Sequence, residues 1–102
     1  MSNLPLTDSE RYAVGHCLRV AADGPYFPDW EFETLIGATR DDVRAASEEW
    51  LKAAPRTDGM NEVAISVLAN LLGYPHHLLE QLPDAVGHSV GEIQAALHKL
   101  SS

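Results

Sequence analysis

Apolar side chains recur at intervals of three and four residues along most of the chain, which is the spacing of one helix face. The first such stretch covers about residues 8–22, and the last places one apolar stripe between residues 90 and 100. The run from 63 to 72 is apolar nearly all round, which predicts a central helix with Leu68 and Leu71 buried. No segment alternates apolar and polar residues as a half-buried strand does, so the pattern predicts an all-α fold.

Capping sequences mark the starts of three helices. Thr7-Asp8-Ser9-Glu10 and Ser89-Val90-Gly91-Glu92 have the form of capping boxes, in which the hydroxyl accepts a backbone N–H and the glutamate reaches back. Thr39-Arg40-Asp41-Asp42 is a version with a shorter acid. We also expect Asp29 to cap a short helix that Gly37 ends in a left-handed conformation.

Prolines and charged residues complete the fold prediction. Pro75 should open a second short helix and Pro83 should stop it, while the Tyr26-Phe27 pair packs across the core. In the helix that follows Thr39, Arg40 and Arg44 are expected to face water. The sequence therefore predicts a compact orthogonal bundle of five or six helices, two of them short.

Length and composition fit one folded unit. The chain has 102 residues, of which 45% are hydrophobic and 22% charged. These shares are ordinary for a globular domain, and we expect a single helical domain over residues 1–102. The single cysteine, Cys17, cannot form an internal disulfide, and no apolar stretch has the length of a membrane span or a secretory leader. A reducing, cytoplasmic location without membrane contact is the prediction.

Two helix-glycine-helix corners resemble each other at an offset of 36 residues. The segment 34–39 aligns with 70–75, and each has the form of a helix-turn-helix. The helix that would read DNA, over 40–49, carries four acids and two bases, and the helix after the second corner has no lysine or arginine. Because DNA phosphates attract cations, this composition argues against nucleic-acid binding.

Negative charge is the strongest functional signal. Fifteen acids and seven bases give a net charge of −8, and residues 23–49 hold eight of the acids with only two arginines. This density fits either a solvated surface or a face that docks a basic protein. The candidate partner-binding residues are Asp41, Asp42, Glu48, Glu49 and Trp30. Apolar patterning assigns Tyr26 and Trp30 to the core, whereas exposure would make them interface anchors.

Candidate catalytic and metal-binding residues are isolated along the chain. Cys17 and His16 are neighbours whose side chains point about 100° apart on a helix, so a buried structural cysteine is expected. His76 and His77 are adjacent and lack the spacing of a chelating pair, and His88 and His98 are expected to be exposed or to act at helix ends. We therefore predict no enzymatic activity, no cofactor and no bound metal.

Two blocks of the chain carry a family resemblance. Tyr26-Phe27-Pro28-Asp29-Trp30-Glu31-Phe32, followed by Arg40-Asp41-Asp42-Val43 and later by Asn70-Leu71-Leu72-Gly73-Tyr74-Pro75-His76, resembles blocks found in small uncharacterised acidic proteins of actinobacteria. The resemblance implies an intracellular actinobacterial protein and transfers no catalytic residue.

Taken together, the residues predict a non-enzymatic, acidic protein-binding module, with inhibition of the immunity-protein or antitoxin kind as its most concrete form. The alternative is a helix-turn-helix transcriptional regulator or a DNA-binding accessory protein.

Overall fold

The computed structural model describes residues 6–52, 57–73 and 79–101, and every regular element in these ranges is helical. The helices are α1 Asp8–Asp23, α2 Asp29–Ile36, α3 Arg40–Leu51, α4 Asp58–Gly73, α5 Leu82–Val86 and α6 Val90–Ser101, with a 3₁₀ turn at Leu79–Gln81 before α5. The predicted all-α bundle is confirmed, and α2 and α5 are the shortest helices described. None of these helices is long and apolar enough to cross a membrane.

Helices α1 and α3 form an antiparallel pair, because the start of each lies beside the end of the other. Gly15 of α1 faces α3 where the two helices are close. A Cβ atom added to Gly15 would lie 2.7 Å from Leu51 Cδ2 and 3.4 Å from the Ser47 carbonyl oxygen. A larger residue at this position would therefore require the Leu51 side chain to move.

One hydrophobic core joins this pair to the rest of the bundle, with α4 packed against α1, α2 and α6. Leu68 and Leu71 are fully buried in α4, as predicted, and Tyr26 and Phe27 are buried in the segment between α1 and α2. Cys17 is also buried in this core. The other large side chains that are almost completely buried are Trp50, Phe32, Leu18, Leu82, Ile93, Val14, Val43 and Val67.

Two of the predicted capping boxes are complete. The hydroxyls of Thr7 and Thr39 each accept the backbone N–H three residues on, and the acid at that position reaches back to the cap. At the third start, the Ser89 hydroxyl accepts the Glu92 backbone N–H at 3.1 Å, but the Glu92 carboxylate binds other side chains. The prediction for Asp29 is wrong, because α2 has Pro28 at its N-cap and Asp29 is its first helical residue.

The expected stop at Pro83 is also wrong. Pro83 lies in the first turn of α5, where a backbone N–H has no acceptor inside the helix, so a residue without one is tolerated. The end of α5 is Gly87, whose φ of 76° is left-handed. The predicted start at Pro75 lies outside the described residues.

Arginines close the two ends of the α1–α3 pair. The last carbonyl groups of a helix have no partner inside it, so another group must satisfy them. At one end, Arg11 Nη1 in the first turn of α1 donates to the carbonyl oxygens of Trp50 at 2.8 Å and Leu51 at 3.3 Å. This side chain therefore completes the C-terminus of α3.

Arg40 performs the same task at the other end. Its Nη1 atom, at the start of α3, donates to the carbonyl oxygens of Ala21 at 3.3 Å and Ala22 at 2.9 Å in α1. Its Nη2 atom donates to the Phe27 carbonyl oxygen and pairs with Asp29, both at 2.8 Å. The prediction that Arg40 faces water is wrong, because buried carbonyl groups attract its side chain inward.

The cap of α6 gives the first testable prediction. Ser89→Ala removes the acceptor for the Glu92 backbone N–H. The change should lower the free energy of unfolding by about 1 kcal/mol. Ser66→Ala, in the middle of α4, is the control. It should change stability by less, roughly 0.5 kcal/mol at most. Urea unfolding measures both, and equal losses would contradict a helix start near residue 89.

Candidate protein-binding face

Helix α3 presents four carboxylates on the side that faces away from the core. Asp41, Asp42, Glu48 and Glu49 are all exposed, whereas Trp50 on the opposite side is buried. Positions seven residues apart return to nearly the same side of a helix, so 41 lies above 48 and 42 above 49. The structure thus brings the four predicted acids together, and we call these four residues the acidic face.

Basic side chains neutralise only part of this face. Arg44 Nη1 pairs with Asp41 at 2.7 Å, and its Nη2 atom pairs with Asp23 at 2.7 Å. The hydrogen bond that Arg44 donates to Asp23 raises the pKa of Arg44 above its usual value, so this side chain stays charged. Arg44 is half-buried and shared between two carboxylates, which corrects the expectation that it simply faces water. Within the described residues, Glu48 and Glu49 have no ion pair.

The expectation that Trp30 lies in the core is wrong, because 77% of its surface is exposed. Phe32 and Ile36, four residues apart, occupy the buried side of α2. A residue two positions from Phe32 lies about 200° round the helix, so Trp30 points outward. The pair between Asp29 and Arg40 joins the start of α2 to the start of α3. Trp30 therefore lies on the exposed side of α2, next to the residue that joins this helix to the start of α3.

The first helix-turn-helix-like corner is present, with α2 and α3 joined through residues 37–39. Gly37 has a φ of 81°. This is the left-handed conformation that the turn requires, and glycine adopts it without steric cost. The cations that a DNA-reading α3 would need are engaged within the chain, since Arg40 binds carbonyl groups and Arg44 binds carboxylates. The turn of the second corner lies outside the described residues.

A cluster of polar side chains that the sequence did not predict lies between α1 and the start of α6. His16 of α1 and His88, just before α6, pack edge to face with ring centroids 5.8 Å apart. His88 Nδ1 lies 2.6 Å from Glu92 Oε1, and the Ser9 hydroxyl donates to Glu92 Oε2 at 2.5 Å. The four-residue spacing of His88 and Glu92 indicates that these two side chains can meet on one side of a helix, but no feature of the sequence indicates the contact of His16 with His88. Ser9, His16, His88 and Glu92 are called the histidine cluster below.

The other potentially reactive side chains among the described residues do not cluster into a catalytic or metal-binding site. Burial raises the pKa of the Cys17 thiol to about 12, so it is not a thiolate at neutral pH. Across residues 6–52, 57–73 and 79–101, no three histidine, cysteine or acidic side chains are arranged to hold a metal ion.

An open groove of about 630 Å³ lies between α1 and α5. Its lining includes Arg19, Asp23, Tyr26 and Asp84.

Comparison of the chain with protein-family models, curated proteins and solved structures finds no match. The resemblance to acidic actinobacterial proteins therefore stays a prediction. Among the described residues, the acidic face is a cluster of exposed carboxylates, and Trp30 is a largely exposed indole on the preceding helix.

The two tryptophans provide the test of this geometry. Trp30→Ala should change the free energy of unfolding by roughly 0.5 kcal/mol at most, because an exposed side chain contributes little packing. Only 1% of Trp50 is exposed. Trp50→Ala should therefore cost about 3 to 5 kcal/mol, because removal of the ring leaves a cavity. Chemical denaturation compares them, and a large loss for Trp30→Ala would show that the ring is packed.

Proposed function

We propose that this chain is a small, acidic, non-enzymatic protein-binding module that docks a basic partner protein through the acidic face, with Trp30 as the anchor. The observation that supports the proposal best is the 77% exposure of Trp30 on α2, the helix that immediately precedes the acidic face of α3. Leaving an indole in water forgoes the hydrophobic stabilisation of its burial. An exposed tryptophan that becomes buried on binding is the kind of residue that dominates interface energies.

The charges contribute mainly to the rate and selectivity of association. The net charge of −8 produces a long-range field, and the acidic face concentrates it on one side of α3. Such a field attracts a basic protein and repels other acidic surfaces, while adding little to the strength of the final contact. Trp30 would supply the contact energy that the exposed carboxylates do not.

The most concrete form of this function is inhibition of a basic protein, as an immunity protein or antitoxin covers a nuclease. A nuclease site that binds phosphates must carry cations, and the acidic face offers carboxylates in place of those phosphates. The single cysteine, buried and reduced, fits action in the cytoplasm.

The alternative function is a helix-turn-helix regulator or a DNA-binding accessory protein. The α2–α3 corner favours it, because a short helix, a three-residue turn and a longer helix have the required order. The charges of this corner argue against DNA binding, because the outer side of α3 would bring Asp41 and Asp42 against DNA phosphates. Protein binding is therefore the better-supported function.

The acidic face can be tested with a matched pair of variants. The face variant changes Asp41, Asp42, Glu48 and Glu49 to their amides. The control makes the same chemical change at four exposed acids elsewhere, namely Asp58, Asp84, Glu62 and Glu80. Both variants lose four negative charges, so a difference between them reports the position of the charge and not its total.

The partner is captured from a native lysate with the unchanged protein, and association rates are then measured over a range of salt concentrations. The face variant should associate about tenfold more slowly at low salt than the control variant, and its rate should depend less on salt. Trp30→Ala should instead raise the dissociation rate. Equal association rates for the two variants would contradict the proposal, and salt-dependent retention of the unchanged protein on heparin would favour DNA binding.

A further inference from the structure

We propose that the histidine cluster is an acid-sensitive latch, which holds the start of α6 against α1 when His16 is neutral and loosens when His16 gains a proton. It lies between α1 and α6, and it does not depend on the function proposed for the acidic face.

In the closed form, Glu92 links the two helices. One oxygen of its carboxylate contacts His88 Nδ1 at 2.6 Å, and the other accepts the Ser9 hydroxyl hydrogen at 2.5 Å. Glu92 lies in the first turn of α6 and Ser9 in the first turn of α1. Because only 15% of the His88 side chain is exposed, this contact is partly shielded from water.

His16 makes the contact sensitive to acid. Its ring meets the His88 ring at a centroid distance of 5.8 Å and an interplanar angle of 72°. This edge-to-face geometry suits uncharged aromatic rings, whereas two imidazolium rings so close together repel each other. The Glu92 carboxylate contacts His88, so a positive charge on His16 is the one that the closed form opposes.

The charged groups around His16 and His88 also oppose a proton on His16. Arg19, on the same helix as His16, adds a second positive charge on its side of the cluster, while Lys99 of α6 pairs with Glu10 of α1 at 2.7 Å. Desolvation of the ring, followed by the charges of His88 and Arg19, lowers the pKa of His16 below its ordinary value. Tyr12 contributes only an uncharged edge-to-face contact with His16.

The direction of the pH dependence follows from this lowered pKa. The folded form binds fewer protons at His16 than the unfolded form, so the stabilisation is complete above the ordinary histidine pKa of about 6.5 and is lost as the pH falls. Hydrogen bonds also lower the pKa values of Glu10 and Glu92 from the ordinary value of 4.5. Those carboxylates lose their contributions only at more acidic pH. The latch is therefore expected to open before the ion pairs of the same helices are titrated.

Coupling between the rings is tested by NMR titration of the histidine side chains in the full chain. In His88→Gln, the pKa of His16 should rise toward its ordinary value, because the neighbouring positive charge is gone. His98→Gln removes another histidine of α6 and should leave the pKa of His16 unchanged. An unchanged His16 pKa in His88→Gln would overturn the proposal.

Opening of the latch is tested by hydrogen exchange over residues 87–94. After correction for intrinsic exchange, the rate in the unchanged protein should rise about threefold to tenfold between about pH 7.5 and 5.5, because protonation of His16 weakens the closed form. His16→Gln keeps a polar side chain that does not titrate, and its rates should stay constant over this interval. The same rise in His16→Gln, or no rise in the unchanged protein, would overturn the proposal.

Discussion

The packing of α1 against α3 depends on two arginines that each complete the C-terminus of the opposite helix. Carbonyl groups at a helix end need hydrogen-bond donors, and burying them without donors costs free energy. Arg11 supplies donors for the end of α3, and Arg40 supplies them for the end of α1. A guanidinium group suits this task because it carries several donors in one plane and remains charged in partly buried surroundings. The close contact that Gly15 permits along the middle of the pair is thus secured at both ends.

These internal contacts also explain the surface that we propose binds a partner. Arg40 and Arg44 are the only bases between residues 23 and 49, and both are engaged by groups of the same chain. Among the described residues, Glu48 and Glu49 form no ion pair, so the acidic face keeps part of its negative charge. Through its pair with Asp29, Arg40 also fixes the start of α2 and hence the position of Trp30. Arg40 therefore both completes the C-terminus of α1 and joins the start of α2, which carries Trp30, to the start of α3.

Local signals in the sequence were sufficient for α1, α3, α4 and α6, the caps at Thr7 and Thr39 and the buried centre of α4, because these depend on residues within one or two turns. They were not sufficient for α5, where Pro83 lies in the first turn of a helix although it was expected to end one. The orientation of Trp30 could not be predicted, since α2 has apolar residues on several sides and only tertiary packing selects Phe32 for the core. Likewise, Arg40 at the start of a helix looks like a solvated charge until the end of α1 is placed beside it. The contact of His16 with His88, far along the chain, is set by the packing of α1 and α6 and has no local signature.

The dependence of the α1–α3 packing on these arginines is tested most directly by the free energy of unfolding of Arg40→Lys, compared with that of Arg19→Lys. Lysine keeps the charge but cannot reach two carbonyl groups of α1, the Phe27 carbonyl and Asp29 together. Arg40→Lys should therefore lose about 1.5 to 3 kcal/mol. Arg19 is exposed, and the only hydrogen bond of its side chain to another described residue is a 3.5 Å contact with Ser47. Its replacement should cost roughly 0.5 kcal/mol at most. Similar small losses for the two variants would show that the arginine contacts do not hold α1 and α3 together.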